Sequence, residues 1–400
     1  MVKTIAIIHP DLGIGGAEQL IVNIALALQA SGNFVRIYTP HHDPSRAFKE
    51  TTDGTLSVEV RGNICPPTFF GRFVALCSLI RMLLASLFVV LYAGRYDIII
   101  VDQVSAILPI FWICPSKVVF YCHYPDQLLC TNRSSLLKRI YRFPLDKAEW
   151  LGLKTADRIF VNSNFTKGVV TGLFRALDAE KINVVYPCVD LTYEEIDSPP
   201  GFLDGKKYFF SLNRYERKKN IQRAIEGYAN LKKRSAKLVI GGGWDPRMAE
   251  NVEHIEELRN KAESLGLKCV EVKDFSKPLE SYDVYFVKNL SHREREQALQ
   301  HAICVLYTPE NEHFGIVPVE AMGRGTPVIA MKSGGPTESV IHGETGFLVE
   351  NEEGWSNYME TLESKENLRK KFGEQGKKHA NKFFSLKGMK YQLEEEFETL

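Results

Sequence analysis

Apolar residues fall along this chain in short continuous runs separated by longer amphipathic stretches. TIAIIHP opens the series, and FVRIYTP, YDIIIVD, KVVFYCHYP and RIFVNS follow it. Such runs, bounded by Gly, Pro or Asp, predict buried strands. Between the first two, Leu20, Ile21, Ile24 and Leu28 share one face of a helix predicted from Ala17 to about Ser31, and Gly32 supplies its stop. Strands alternating with helices predict a doubly wound parallel α/β sheet. The stretch VYPCVDLTYEEIDSPPGFLDGKK then interrupts the pattern with Pro187, Pro199, Pro200, Gly201 and Gly205. Beyond it the alternation restarts with YFFSLN, KLVIGGG, VYFVKN, ICVLYTP and PVIAM. We therefore expect two α/β domains, residues 1–190 and 207–384, joined by a linker at 191–206 and facing each other across a cleft. Residues 385–400 are predicted as a helix returning to the first domain.

One run breaks the rhythm. FVALCSLIRMLLASLFVVLYA, Phe73 to Ala93, carries a single charge, Arg81, with Arg72 and Arg95 at its flanks. Its length suffices to span a bilayer. Arg81 near the centre would cost ~3 kcal/mol there. A single pass would also put the strands before and after it, expected in one sheet, on opposite sides of the membrane. Three placements stay open: spanning, lying on a leaflet, or packed as a core helix.

With 400 residues, 44% of them apolar, the chain can build two cores. Its net charge of +1 gives no global field to select nucleic acid, so anion binding must be local. The eight cysteines form no CxxC pair and fit a reducing compartment, with Cys122 and Cys304 expected as buried free thiols. The ten histidines include no HExxH and no Cys/His cluster, so no metal site is expected. MVKTIAIIHP enters a strand directly, and we expect no secretory leader. The Asn-x-Ser/Thr matches at Asn132, Asn164 and Asn289 then carry little weight.

Candidate chemistry gathers at strand ends. In DLGIGGAEQL, Gly13, Gly15 and Gly16 precede a helix N-terminus, an arrangement that suits a phosphate or simply makes a tight turn. It is not the dinucleotide fingerprint, because Glu18 stands where the third glycine belongs. SLNRYERKKN puts Arg214 and Lys219 after a strand, able to neutralise a diphosphate without a metal or to form a solvated basic turn. GGGWDP adds a second Gly turn at a strand end. His123 ends another strand, where a histidine is either structural or catalytic. In PENEHFGIVPVEAMGRG, Glu312 sits on the loop after a strand and Glu320 one to two turns into the next helix. A loop carboxylate can accept sugar hydroxyls, and one on the helix the two ribose hydroxyls. The N–H groups of Phe314, Gly315 and Ile316 can hold a phosphate between them.

EHFGIVPVE, the Arg214/Lys219 pair, GGAE and VNSNFT, taken together, resemble retaining glycosyltransferases of family 4, which have the GT-B fold. NRYERKKN, YTPENEHFGIVPVEAM, SGGPTESV and VDQVSAILP with FYCHYPDQLL are similar, within that family, to mannosyltransferases of dolichol-linked oligosaccharide assembly. The likeness covers nearly the full length. It implies transfer of mannose from GDP-mannose with retention of configuration, α-1,3 then α-1,6, onto a dolichyl-pyrophosphate-linked Man-GlcNAc2 acceptor. It implies that Glu320 holds the ribose, that Arg214 and Lys219 hold the diphosphate, and that Glu312 orients the mannose. His313, Phe314, Gly315 and Ile316 complete that loop, Gly15 and Gly16 close over the phosphate, and His123 lies near the transferred sugar. It further implies same-face attack with no obligatory enzymic base, and metal independence. The expected setting is the cytosolic face of the endoplasmic reticulum membrane, with the membrane surface and other early-pathway glycosyltransferases as partners. The segment LGLKCVEVKDFSKPLES is longer than this family usually shows and precedes the expected base-contacting loop, Val287 to Asn289. Two other functions remain open: a GT-B enzyme using a different nucleotide sugar, or a silent GT-B scaffold. The intact Glu312, Glu320, Arg214 and Lys219 argue against the second.

Overall fold

Seven strands, β1 (Thr4–Ile8), β2 (Phe34–Thr39), β3 (Ser57–Val60), β4 (Ile98–Asp102), β5 (Lys117–Cys122), β6 (Arg158–Val161) and β7 (Ile182–Val184), form one sheet in the order β3-β2-β1-β4-β5-β6-β7. Every pairing in it is parallel. The computed structural model describes residues 2–69, 73–129 and 136–400; Arg72 and Asn132, named above, lie outside them. Along β1 the side chains divide by parity. Ile5 and Ile7 join a core beneath helices Gly16–Ala30 and Leu386–Glu398, while Ala6 and Ile8 join one beneath helix Val74–Tyr92 and the 3-10 helix Ser105–Ile113. Helices cover both faces, which is why the strands read as continuous apolar runs.

A second parallel sheet comprises β8 (Tyr208–Leu212), β9 (Lys237–Gly242), β10 (Cys269–Glu271), β11 (Val284–Lys288), β12 (Val305–Tyr307), β13 (Val328–Met331) and β14 (Gly346–Val349). Its order is β10-β11-β9-β8-β12-β13-β14. The chain accordingly divides into two units, Met1–Cys188 with Leu386–Leu400, and Val189–Ser385. The proline-rich run that begins near residue 190 belongs to the second. Each sheet reverses its winding once, between β1 and β4 in the first and between β8 and β12 in the second. In doubly wound sheets, the crevice at the carboxyl ends of the strands beside such a switch point is where ligands bind.

Helix Val74–Tyr92 packs on the first sheet. Met82, Ala85 and Val89 enter the core with Ile99, Val101 and Phe120, while Val74, Leu83, Leu91 and Tyr92 face outward. Because β1 pairs with both β2 and β4, the chain before and after this helix lies in one sheet, which excludes a single membrane pass between them. Arg81 does not reach outward as an in-plane helix on a leaflet would require: its Nη2 donates to the Pro40 carbonyl at 2.7 Å. Cys122 and Cys304 are buried free thiols, as the runs around them predict.

Candidate active site

In the second unit the chain leaves β8 and forms the 3-10 turn Arg217–Lys219, whose left-handed end, Asn220 at φ 50°, redirects it into helix Gln222–Ala229. The Lys219 carbonyl accepts from Thr308 Oγ1 at 2.7 Å, tying this turn to the end of β12. Lys219 Nζ thereby lies 2.6 Å from Glu312 Oε2. The lysine side chain is 12% exposed and the carboxylate 27%, so the pair is mostly screened from water yet reachable from it.

The other basic residues of the run diverge. Arg214 is 65% exposed, with Nη1 3.0 Å from Glu216 Oε1, and Lys218 approaches the other oxygen of Glu216 at 3.1 Å. Arg217 turns to Glu253 and Glu257 of helix Ala249–Ser264, at 2.8 and 2.6 Å. Arg214 and Lys219 are thus held by different carboxylates.

Glu312 begins the loop that ends in helix Ile316–Gly323. Gly315 has φ 85°, a left-handed conformation, and a Cβ there would sit 3.1 Å from the Tyr307 ring. Behind the loop, Gly335 N–H donates to the Glu312 carbonyl at 2.8 Å, and a side chain at Gly335 would strike the Phe314 backbone. SGGP is therefore a close-approach segment that fixes the Glu312–Gly315 backbone. Phe314 is buried edge-on against Phe384, whereas Ile316 is exposed. Gly315 caps the helix without a side-chain bond, so its first turn presents N–H groups and a partial positive charge. Glu320 is nearly buried and forms an ion pair with Arg295 of helix His292–His301. Of the expected base-contacting loop, Val287 and Lys288 instead end β11, and Asn289 just beyond it is fastened to GGGWDP. Asn289 accepts from Trp244 N–H and donates to the Trp244 carbonyl, both at 2.7 Å.

The first unit holds a separate cluster at its own switch point. Asp102, the last residue of β4, is wholly buried. Its Oδ2 meets His9 Nδ1 at 2.8 Å, and His123 Nε2 lies 2.8 Å from Oδ1. His9 Nε2 is 3.7 Å from Glu18 Oε1. Burial alone would lower the His9 pKa, but the bond to Asp102 and the nearby Glu18 carboxylate outweigh it and raise it to about 9. Burial likewise opposes ionisation of Asp102, yet His123 and His9 hold that carboxyl down at about 2. His9 is consequently a buried imidazolium between two carboxylates. His123 keeps a quarter of its side chain exposed and is aimed by the same aspartate. Glu18 tucks under the turn, where a Cβ on Gly15 would fall 2.2 Å from its Oε2, while around Gly16 the space is open.

Lys219, Glu312 and the start of helix Ile316–Gly323 are therefore brought together, with Arg214 on its own carboxylate and Glu320 on an arginine. Sequence reasoning missed Asp102, His9, Glu216 and Arg295. Asp102 and His9 stand at strand ends, as His123 does, and that position was the available signal. Nothing local marks Arg295.

Comparison with known proteins follows this division. A family model described as Glycosyltransferase Family 4 matches residues 14–193, and one described as Glycosyl transferases group 1 matches 192–379. The chain is 40% identical to the alpha-1,3/1,6-mannosyltransferase of Dictyostelium discoideum over 413 residues, covering 96% of this chain and 95% of that one. It is also 40% identical to that of Mus musculus over 408 residues, covering 98% and 94%, and 39% to that of Saccharomyces cerevisiae over 430, covering 100% and 85%. Among solved structures it resembles sucrose-phosphate synthase from Thermosynechococcus elongatus, with TM-score 0.73, 19% identity and coverage of 99% and 98%. It also resembles Anabaena HepE in complex with UDP and glucose, with TM-score 0.68, 20% identity and full coverage of both chains.

Proposed function

The chain belongs to the alpha-1,3/1,6-mannosyltransferases within the family 4 glycosyltransferases of GT-B fold, and from that premise we propose its donor, acceptor and division of labour. It transfers mannose from GDP-mannose, with retention, onto a dolichyl-pyrophosphate-linked Man-GlcNAc2 acceptor in N-glycan precursor assembly, forming the α-1,3 and then the α-1,6 linkage. The work is done at the cytosolic face of the endoplasmic reticulum membrane.

The observation that carries this reading is the Lys219–Glu312 contact at the head of helix Ile316–Gly323. A cation for the donor diphosphate and a carboxylate for the sugar hydroxyls are within one salt bridge of each other. A helix N-terminus stands immediately beyond them to take phosphate oxygens. As the glycosidic bond breaks, negative charge grows on the leaving GDP, and Lys219 and Arg214 answer it without a metal. Glu320 is assigned the ribose, for which Arg295 holds it in place; His313, Phe314, Gly315 and Ile316 shape the loop over the phosphate. From the first unit, Gly15 and Gly16 are assigned the donor phosphate and His123 the transferred sugar.

The test is incubation of the purified chain with GDP-mannose and a panel of other nucleotide sugars, against a short-chain lipid-pyrophosphate acceptor. Mannose should be transferred from GDP-mannose alone, with an α product and in the presence of excess chelator. Lys219→Ala and Arg214→Ala should each lower turnover about a hundredfold, the ~3 kcal/mol expected of a lost oxyanion-type contact. Transfer from another donor, or rescue of chelated enzyme by Mn²⁺, would refute the assignment.

A further inference from the structure

Helix Leu136–Thr155 is turned inside out. Its outward residues Leu136, Leu137, Ile140 and Phe143 are 70, 78, 62 and 64% exposed, while two of its charged residues, Arg142 and Glu149, are buried. Arg142 pairs with Asp126 and Asp146 at 2.5 and 3.1 Å, and Glu149 accepts the Asp126 and Gln127 N–H groups at 2.7 and 3.2 Å. The polar side thus has a structural use, while the apolar side is left exposed, with Lys147 Nζ over the Phe143 ring at 5.8 Å. Isolated exposed leucines need no explanation, but a contiguous apolar face does.

The face extends onto a second helix. The Phe73 ring meets Tyr141 edge-on at 5.8 Å, and Leu76 N–H donates to Tyr141 Oη at 3.2 Å. That joint carries the exposed Phe73, Val74 and Leu76 to the same helix. Lys138, Arg139 and Lys147 are exposed among these residues, and Asp126 and Asp146 are both engaged by Arg142. An apolar helical face bearing cations is the composition of a helix that lies in a headgroup layer, its lysines reaching up to anionic lipid.

We propose that helix Leu136–Thr155, with the first turn of helix Val74–Tyr92, docks the first unit onto a bilayer carrying anionic lipid. A cavity of about 570 Å³ lies against both helices, lined by Val74, Ala75, Leu79 and Leu145, and His123 is in its wall. A lipid seated on the docked face is therefore beside that histidine. This last step rests on the acceptor proposed above; the docking does not.

Sedimentation of the full chain with phosphatidylcholine vesicles, with and without phosphatidylserine, reads the docking in the absence of any substrate. Wild type should pellet with the anionic vesicles and be released by salt. Ile140→Ser with Phe143→Ser should weaken binding about thirtyfold, since two apolar side chains no longer enter the acyl boundary. Lys138→Glu with Lys147→Glu should remove the preference for anionic lipid. Both double variants should keep wild-type transfer to a water-soluble acceptor. Unchanged vesicle binding by the two variants overturns the proposal. So does a wild-type dimer that the serine variant turns to monomer with vesicle binding intact, because the face would then belong to a second copy. Vesicle binding as expected with no mannose transfer by any variant would instead refute the donor and acceptor assigned above.

Discussion

Asp102 divides its two oxygens between His9 and His123, and that choice has a pH signature. The His9 pKa is raised from 6.5 to about 9, so the stability it contributes is complete below pH 6.5 and lost as pH rises through 9. The Asp102 pKa is lowered from 3.8 to about 2, so its contribution is complete above 3.8 and lost as pH falls through 2. The two shifts describe one ion pair, which is strongest between about pH 4 and 6.5. Calorimetry should show the first unit losing melting temperature from pH 6.5 to 9, and Asp102→Asn should flatten that decline. A variant with the wild-type slope would mean the pair contributes nothing. Asp102→Asn should also lower turnover ten- to a hundredfold, roughly the 1.5–3 kcal/mol of a charge-assisted bond that orients His123. The two glutamates of the other unit should separate kinetically. In the proposed role Glu320 contacts the ribose equally in ground and transition states, so Glu320→Gln should raise KM. In the proposed role Glu312 holds a ring that flattens during transfer, and Glu312→Gln also loosens Lys219, so it should depress kcat. Identical profiles for the two variants would erase the division of roles.

At the scale of elements, helix Val74–Tyr92 sorts its residues into two populations. Met82 is wholly buried against the sheet, so Met82→Ala should cost about 2–5 kcal/mol of stability. Leu83 and Leu91 are exposed, and Leu83→Ser with Leu91→Ser should each stay within about 0.5 kcal/mol. Denaturant midpoints decide the matter, and a reversed order would mean the opposite face is the packed one. The same contrast explains what could be read in advance. The inner strands, such as β4, β8 and β9, are buried along their whole length and announce themselves as apolar runs. Of the fourteen strands among the described residues, the four that the sequence pattern did not predict, β3, β7, β10 and β14, are the outermost pair of each sheet. A strand of three or four residues with a neighbour on one side only needs no apolar run and leaves little periodicity to detect. Candidate residues at strand ends were legible for the complementary reason, since a parallel sheet puts all its carboxyl ends on one side. Their partners were not. Arg295 reaches Glu320 across 25 residues and Asp102 reaches His9 across 93, and only the fold brings either pair together. The outward face of helix Leu136–Thr155 was invisible for the same reason. Only the structure shows that Arg142 and Glu149 face in and leave Leu136, Leu137, Ile140 and Phe143 outside.

For the whole molecule, the chain order decides which parts can fail separately. The second unit is one continuous stretch, Val189–Ser385, but the first is completed only by Leu386–Leu400. Helix Leu386–Glu398 places Met389, Leu393 and Phe397 in a core shared with Ile5, Leu20, Ile24 and Phe160. Phe397 stacks on Phe160, Lys3 Nζ donates to its carbonyl at 2.8 Å, and Gln392 accepts from Tyr186 N–H at 2.9 Å. Deleting residues 386–400 removes three buried side chains at about 1.5–3 kcal/mol each. The loss, roughly 4.5–9 kcal/mol, is comparable with the 5–15 kcal/mol that holds a typical domain together. The deletion should therefore unfold the first unit and spare the second, whose two sheet faces and Lys219–Glu312 pair lie wholly within 189–385. Hydrogen exchange should show protection lost from β1 to β7 and kept from β8 to β14. GDP should still raise the melting temperature of the remaining transition, while mannose transfer disappears. Loss of protection in both sheets together would show that the second unit draws its stability from the first, and retention in both would show that the returning helix adds little to either.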